Sequence, residues 1–418
     1  MSSLLNVRIG SFLALRQIKR SSKWTTVLII FVMVLTFLNL VVVSGVLVGL
    51  IQGSVDAQRR QYTSDVILST LSTKTYIEHS ADIIALLRSL PEVDAVSPRY
   101  TSGVSLEANY KTRINQTDKA NTAGGELVGI DPVSENEITN LSKYVIEGSY
   151  LSPTDYDQIL LGSFLVKKYV PVNNPGFSAL ENIEPGTKIR IKVNGITREV
   201  TVKGILKSKV NETGLRSFMV DSQLRSLIGR NDFNVGEIAI RLKPGADPVR
   251  VRDMLVRSGV DKVAKVQTYV DAQPKFLKDI KDTFALLGNM ISSIGLVVAS
   301  ITIFIVIFIN AITRRKFIGI LKGIGINGKA IEISYVIQSV FYAACGSAIG
   351  LLIVYGLLQP MIAAHPIDFP FSDGILVAPF GETLLRVALL IFATIIAGYI
   401  PARMIVRKNT LDSILGRK

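Results

Sequence analysis

The chain has 418 residues, of which 48% are hydrophobic, and it carries 47 Lys and Arg against 33 Asp and Glu, a formal net charge of +14. The apolar residues are concentrated in four long runs, which excludes an ordinary soluble protein. The basic excess lies in short segments beside these runs and not on one folded domain, which excludes a nucleic-acid-binding protein.

Residues 1–23 are predicted to form an amphipathic helix that lies along the inner membrane surface. Its apolar positions are Leu5, Ile9, Phe12 and Leu13, with Arg16 interrupting the stripe. Basic side chains on such a helix face anionic lipid headgroups. The alternative is a solvated positive lead-in to the first membrane helix.

Four apolar runs are long enough to cross a bilayer as helices, since about 18 uncharged residues suffice. The predicted segments are 24–51, 283–312, 333–358 and 383–405 as transmembrane helices, 52–282 as an external domain, 313–332 and 359–382 as loops, and 406–418 as a tail. The first run is too long for a signal-peptide core and is predicted to be a retained anchor.

The charges of the short segments predict the orientation. Residues 1–23 and 313–332 each contain five Lys or Arg, whereas 359–382 contains none. Cytoplasmic segments carry the basic excess in membrane proteins. Both termini and the 313–332 loop are therefore predicted to be cytoplasmic, and 52–282 and 359–382 extracytoplasmic.

The external domain has a mixed α and β pattern. A strand–helix–strand order at 65–70, 81–90 and 93–106 recurs at 237–242, 247–257 and 263–269. Between them, alternating apolar and polar residues flank Asn194-Gly195, a strong hairpin signal. The predicted fold is a membrane α-helical protein with four transmembrane helices and a large mixed α/β extracytoplasmic domain, built as a split α/β unit plus a β-rich insertion. The helical pattern continues beyond the first membrane helix and begins ahead of the second. Both helices are therefore predicted to extend out of the membrane as stalks that carry the external domain.

Two small-residue motifs lie in the predicted spans. They are Gly45-x-x-x-Gly49 in the first and Gly346-x-x-x-Gly350 in the third. Small residues four apart allow close helix–helix approach. They predict packing sites, within the chain or in a dimer.

No catalytic, metal or phosphate-binding site is predicted. The segment TRRKFIGILKGIGING at 313–328 matches glycine-rich phosphate motifs, but no strand precedes it, and Ala330 replaces the hydroxyl residue that would hold magnesium. His79 and His365 are far apart and lack ligand-spaced partners. The glycines are predicted to end a short helix and turn the chain back.

Several stretches together resemble the MacB-type permease subunits of ATP-binding-cassette systems and their relatives FtsX, LolC and LolE. The resemblance covers essentially the whole chain. Its stretches are FLALRQIKRSSKWTTVLIIF at 12–31, ILLGSFL at 159–165, KGI at 203–205, IPAR at 400–403 and, most specifically, RRKFIGILKGIG at 314–325. Phe317 departs from the family pattern, which has glutamate at this position.

The resemblance implies a non-catalytic subunit in the bacterial inner membrane that works by mechanotransmission in export or extraction. Its implied partners are two copies of a cytoplasmic ATPase, which holds ATP and Mg, a second copy of the chain or a similar permease, membrane lipid, and an extracytoplasmic adaptor or lipoprotein, with no nucleic acid. No cofactor would bind to this chain directly.

The 313–328 segment would then contain a coupling helix that seats in a groove on the ATPase. The candidate coupling residues are Arg314, Arg315, Lys316, Phe317, Ile320, Leu321, Lys322, Ile324 and Gly325. The alternative is a basic loop that only fixes the membrane orientation. Two other functions stay open: FtsX-like transmission of a signal to an extracellular partner, and LolC- or LolE-like release of lipoproteins.

Overall fold

The computed structural model describes residues 2–111, 120–170, 178–365, 367–369, 372–374 and 376–407. The chain divides into two compact units. The first, here the helical unit, comprises Met1–Ile51, Asp279–Asp368 and Asp373–Lys418, and the second, the sheet unit, comprises Gln52–Lys278 with Phe369–Ser372. From Lys408 onward the predicted 406–418 tail lies outside the described residues, as do parts of the 359–382 loop.

Long helices make up most of the helical unit, and shorter ones occur in the sheet unit and between some of the long ones. In chain order they are α1 Ser2–Arg20, α2 Lys23–Leu38, α3 Ser44–Gln58, α4 Ser80–Ser89, α5 Pro132–Thr139, α6 Asn211–Gly214, α7 Asp221–Leu227, α8 Pro248–Arg257, α9 Lys275–Thr313, α10 Arg315–Gly323, α11 Gly328–Ile353, α12 Gln359–Ala364 and α13 Phe380–Val406.

The prediction of four helices able to span a membrane is confirmed by length and composition. Within the described residues they are Lys23–Thr63, Leu277–Thr313, Gly328–Ala364 and Phe380–Val406. The first and third exceed the predicted apolar runs because π-helical turns join their parts. These turns are Asn39–Val43, Arg59–Thr63 and Val354–Leu358.

Helix α11 is the central element of the helical unit, with α1, α2 and α13 packed against it. Its contact with α1 is close, since a Cβ on Gly10 would lie 2.8 Å from Cγ2 of Ile333. Gln17 of α1 also accepts a hydrogen bond from Gln338 of α11. Two members of the predicted apolar stripe, Leu5 and Phe12, are each 60% exposed.

The π-helical turn at Asn39–Val43 is held by an arginine from α13. Such turns shift the backbone hydrogen-bond register and leave a carbonyl without its usual partner. Arg386 donates from Nη1 to the Leu40 carbonyl at 3.0 Å and from Nη2 to Oγ of Ser44 at 2.6 Å. The distance from Arg386 to the carboxylate of Glu382, one turn earlier in α13, is longer, at 3.9 Å. The main role of Arg386 is therefore to bridge α13 to the first membrane helix.

The strands of the sheet unit form one mixed sheet. They are β1 Val66–Ser69, β2 Val93–Ala108, β3 Asn121–Ile130, β4 Val145–Gly148, β5 Gln158–Gly162, β6 Lys188–Val193, β7 Ile196–Leu206, β8 Arg216–Val220, β9 Glu237–Leu242 and β10 Lys265–Thr268; β11 Ile367–Phe369 and β12 Ser372–Gly374 pair separately. The order is β10-β1-β9-β2-β3-β8-β5-β7-β4, and β6 pairs with β2 and β7.

Both ends of the inserted segment meet in this sheet. Strand β1 pairs antiparallel with β9 and with β10, so residues near the beginning and the end of the segment are hydrogen-bonded neighbours. The two predicted strand–helix–strand units are present as β1-α4-β2 and β9-α8-β10. Helices α4 and α5 contact β2, α7 contacts β3, and α8 contacts β10.

The predicted hairpin at Asn194-Gly195 is also present. Strands β6 and β7 pair antiparallel with Val193 opposite Ile196, which leaves a two-residue turn. Asn194 and Gly195 have φ values of 46° and 83°. Positive φ at both positions is the requirement of a type I′ turn, and Asn-Gly meets it with little strain.

Candidate functional site

The segment between α9 and α11 forms a short helix bounded by two turns. Helix α10 begins directly after α9, and the Arg314 carbonyl accepts the first hydrogen bond, from the Ile318 N–H at 3.0 Å. After α10, Gly325 has a φ of 92°, and the Ile326 N–H donates to the Leu321 carbonyl at 3.0 Å. A glycine in this left-handed backbone conformation ends the helix. The Asn327 side chain then caps α11 by accepting from the Lys329 N–H.

Helix α10 has one buried face and one exposed apolar face. Ile318 and Leu321 are 2% and 7% exposed and belong to the core of the helical unit. Phe317, Ile320 and Ile324 are 51%, 52% and 70% exposed. Their three- and four-residue spacing places them on one side of the helix. We name Phe317, Ile320 and Ile324 the α10 contact face.

Leu321, one of the predicted coupling residues, lies on the buried face of α10. Leu321 packs in the same core cluster as Ile331, Ile405 and Val406, so it fixes α10 to the rest of the helical unit. The sequence did not reveal this, because Ile320 and Leu321 are adjacent and equally apolar. Which of the two points inward depends on where α10 lies on α13 and α11.

The basic residues around α10 also differ in their surroundings. Lys322 donates from Nζ to the Val406 carbonyl at 3.0 Å, near the end of α13, where a cation is favoured by the helix dipole. Arg314 and Arg315 are half-buried, whereas Lys316 is exposed beside the α10 contact face. Gly325 serves the turn after the helix.

The predicted packing glycines occupy two kinds of contact. Gly346 and Gly350 face α2 within the same chain: a Cβ at either position would overlap Met33 or Phe37. Gly45 instead lies against the segment before α13, with its carbonyl accepting from the Val377 N–H at 3.2 Å. A Cβ on Gly45 would come within 2.8 Å of Leu376. Gly49 is buried. Three of the four glycines therefore have packing partners within the chain, and the Gly45 partner is a non-helical segment.

Replacing Gly346 by Ala is expected to destabilise the helical unit by about 1–3 kcal/mol, because the added methyl group forces α2 and α11 apart. Gly356→Ala is the matched control, since a Cβ there meets no atom within 4 Å. Unfolding of the purified chain in mixed detergent micelles measures both variants. Equal stability of the Gly346→Ala and Gly356→Ala variants would contradict a close contact between α2 and α11.

The sheet unit contains a buried network of charged side chains at the end of the first long helix. Arg99 of β2 donates to both carboxylate oxygens of Glu135 at 2.8 Å. Arg216 of β8 donates to Glu237 of β9 at 2.6 and 3.0 Å. Tyr62 joins the two pairs, because its hydroxyl donates to Glu237 at 2.9 Å and its carbonyl accepts from Arg99 at 2.9 Å.

This network is nearly inaccessible to solvent. The side chains of Arg99 and Glu135 are each 2% exposed, and those of Arg216 and Glu237 are 7% and 9% exposed. Burial by itself would raise the pKa of Glu237, but the charge and hydrogen bonds of Arg216, followed by those of Arg99 and Tyr62, outweigh it and lower that pKa to about 2. Glu237 is therefore ionised at neutral pH, and its pairing compensates its burial.

The pairing of charges in this network is not predictable from the sequence. Its members come from a helix end, a short helix and three strands that are far apart along the chain. A single unusual signal was available: Arg99 and Arg216 occur in strands whose other residues are mostly apolar or small. Which carboxylates they meet follows from the order of the strands in the sheet.

In the described part of the chain, no group of three or more His, Cys, Asp or Glu is placed to hold a metal ion. Cys345 is a half-buried free thiol within α11. The glycine-rich stretch forms α10 and the turn that leads into α11. In nucleotide-binding folds, by contrast, such a stretch connects a strand to a helix.

Two family models match the chain. The MacB-like periplasmic core domain matches residues 26–258, and the FtsX-like permease C-terminal matches residues 289–410. The described residues of the chain include four membrane-length apolar helices, with a large α/β domain between the first two, and the chain is a multi-pass membrane permease. It belongs to the MacB-like and FtsX-like family of ABC transporter permeases.

Similar proteins include other permeases of this type. An uncharacterized ABC transporter permease of Methanocaldococcus jannaschii is 26% identical over 56% of this chain and 58% of its own length. A macrolide export ATP-binding/permease protein MacB 1 of Yersinia pestis is 26% identical over 51% of this chain and 33% of its own length. This chain thus spans less than two thirds of either relative.

The crystal structure of the periplasmic region of MacB from Actinobacillus actinomycetemcomitans is also similar. It is 15% identical, with a TM-score of 0.36, and the match covers 50% of this chain and 91% of that one.

Proposed function

We propose that this chain is the transmembrane subunit of a MacB-like transporter and couples ATP hydrolysis by a separate ATPase to movement of its sheet unit. In this proposal both termini and α10 are cytoplasmic, the sheet unit is extracytoplasmic, and the chain itself does no chemistry. The membrane would be the bacterial inner membrane, and the working assembly two permease chains, identical or similar, with two ATPase chains that hold ATP and Mg.

The observation that carries this proposal is the α10 contact face. Phe317, Ile320 and Ile324 are more than half exposed on a helix whose opposite side is fixed in the core. An amphipathic helix with apolar side chains at three- and four-residue spacing suits docking into a groove of another protein. Exposed Lys316 lies next to these side chains and would add a contact to an acidic rim of that groove.

A second observation supports movement of the sheet unit. The first membrane helix is continuous from Lys23 to Thr63. Its last turn contains Tyr62, whose hydroxyl and carbonyl bond to Glu237 and Arg99 in the sheet. A displacement of this helix end would therefore act directly on β2 and β9. The split α/β unit and its β-rich part would move together, and this movement would drive export or extraction of a substrate.

The test is hydrogen–deuterium exchange of the full chain, purified with the ATPase that co-purifies with it. We expect ATP, and not ADP, to change the exchange of peptides in 52–278, and we expect the chain without the ATPase to hydrolyse no ATP. Unchanged exchange in 52–278 while the ATPase turns over would contradict the coupling role. ATP hydrolysis by the isolated chain would contradict the assignment of hydrolysis to a separate ATPase.

A further inference from the structure

The sheet unit contains a cleft beside the end of the first long helix that no step of the proposed coupling uses. Its volume is about 680 Å³. That is within the usual size of small-ligand sites, which is about 300–1,000 Å³. Its wall is formed by the helix end around Arg60 and Ser64, the segment after α5 with Asn140 and Lys143, and the turn around Lys243.

The lining of this cleft carries an excess of positive charge. Five basic residues line it against two acidic ones, and they are Arg59, Arg60, Lys143, Arg241 and Lys243 against Asp56 and Asp65. Two of these cations are already neutralised. Arg59 pairs with Asp65 at 2.5 Å, and Arg241 pairs with Asp94 at 2.7 Å and with Glu137 at 3.1 Å.

Among the residues that the structure describes, the other three cations of the lining have no carboxylate partner. Lys243 donates to the Pro91 carbonyl, which does not neutralise its charge. For Arg60 and Lys143, no ion pair or side-chain hydrogen bond occurs within the described part of the chain. A single carboxylate of the lining, Asp56, is left to oppose them. The cleft therefore offers a local positive potential to a small anion.

The backbone at Ser64 is a separate sign of a specialised site. Ser64 lines the cleft with φ of 56° and ψ of −149°. This conformation is adopted almost only by glycine and costs a non-glycine residue about 1–3 kcal/mol. It is held by neighbours on both sides, since the Thr63 hydroxyl donates to the Ser64 carbonyl and Asp65 binds the Leu242 N–H. Strain of this kind is concentrated at ligand-contacting positions.

We propose that this cleft binds a phosphate-bearing anion. Arg60, Lys143 and Lys243 would contact the phosphate oxygens, and the Ser64 hydroxyl would donate a hydrogen bond. Charge-assisted bonds from Arg and Lys are the strongest that a protein makes to phosphate. The phosphate could belong to a phospholipid headgroup or to a free compound. Arg60 follows Ile51, the last residue of the predicted apolar run, by about two and a half turns of the same helix. This binding does not depend on an ATPase or on the proposed coupling.

The experiment uses the full chain in nanodiscs of phosphatidylcholine and two probes. The first probe is inorganic phosphate, titrated by calorimetry at physiological ionic strength. The second is phosphatidylglycerol mixed into the discs, with the molecules retained by the chain counted by native mass spectrometry. We expect the Arg60→Gln/Lys143→Gln variant to bind about tenfold or more weakly than the wild type.

Two further variants make the result specific. Arg88→Gln/Lys192→Gln removes the same charge from exposed positions elsewhere in the sheet unit and should bind like the wild type. Arg60→Lys/Lys143→Arg keeps the charge and should also retain binding. If the Arg60→Gln/Lys143→Gln variant loses binding of inorganic phosphate, the ligand is a free compound. If it loses only the binding of phosphatidylglycerol, the ligand is a lipid headgroup. Binding of neither probe by the wild type, or an equal loss in the Arg88/Lys192 variant, would overturn the proposal.

Discussion

The Ile320→Asp/Ile324→Asp variant is expected to lose binding to the ATPase, with affinity reduced at least about a hundredfold. Central apolar anchors of an interface typically contribute about 2 kcal/mol or more each, and every 1.4 kcal/mol is a factor of ten in affinity. Both side chains are more than half exposed in the chain, at 52% and 70%. The substitutions should therefore remove the docking surface and leave the helical unit folded.

Co-purification from cells, followed by titration of the purified partners in detergent, measures this loss. The control is Ile196→Asp, which changes a residue that is 49% exposed beside the hairpin turn of the sheet unit. Leu321→Asp cannot replace the double variant, because it would bury a charge in the core and impair folding. Undiminished ATPase binding by a folded Ile320/Ile324 variant would refute the docking role of α10.

The second large effect is expected at the buried charge network of the sheet unit. Replacing Arg216 by Met should lower the free energy of unfolding by about 3–5 kcal/mol, since Glu237 would stay buried with most of its compensating charge removed. For a unit of this size, that corresponds to a fall in melting temperature of about 10 °C. Thermal unfolding of the full chain in detergent, followed by circular dichroism, measures it.

A matched control uses an exposed ion pair of similar length. Lys74 and Glu78 are 2.5 Å apart, but their side chains are 45% and 39% exposed. Exposed pairs contribute about 0–1 kcal/mol, so Lys74→Met should change the melting temperature little. A similar small change in Arg216→Met would mean that the network does not stabilise the sheet unit.

The pH dependence of the difference in melting temperature between the wild type and Arg216→Met follows from the lowered pKa of Glu237. The folded-state pKa is about 2, against an ordinary value of 4.5. The stabilisation is therefore fully present above about pH 4.5 and is lost as the pH falls towards 2. The difference in melting temperature between the wild type and Arg216→Met should be constant near neutral pH and should shrink below about pH 4.5.

The sequence predicts best those features that depend on local pattern. Uncharged runs longer than a bilayer crossing predicted the four apolar helices, and Asn194-Gly195 between alternating residues predicted the β6–β7 hairpin. In both cases the residues that decide the structure are neighbours in the chain. The family resemblance was likewise readable from contiguous stretches, and the family models confirm it.

The contacts that depend on tertiary packing could not be predicted in this way. Leu321 is buried because α13 ends beside α10, which no pattern in 314–325 reveals. The bond from Arg386 to the Leu40 carbonyl depends on a π-helical turn that has no clear sequence signature. Both contacts were recognisable once the helices were placed, because a buried side chain and a freed carbonyl each need a partner.

The pairing of β1 with strands from the far end of the insert also sets the order in which this protein can fold. Val66 is opposite Ile240 of β9 and Thr268 of β10, so β1 has no partner until β9, about 170 residues further along, has been synthesised. At about 5–20 residues per second, the nascent chain would carry this unpaired strand for about 9–34 s. During that interval the first membrane helix can already be inserted, while the sheet beside it is still open. During that interval both edges of β1 are unpaired, and an unpaired strand edge is open to pairing with other chains.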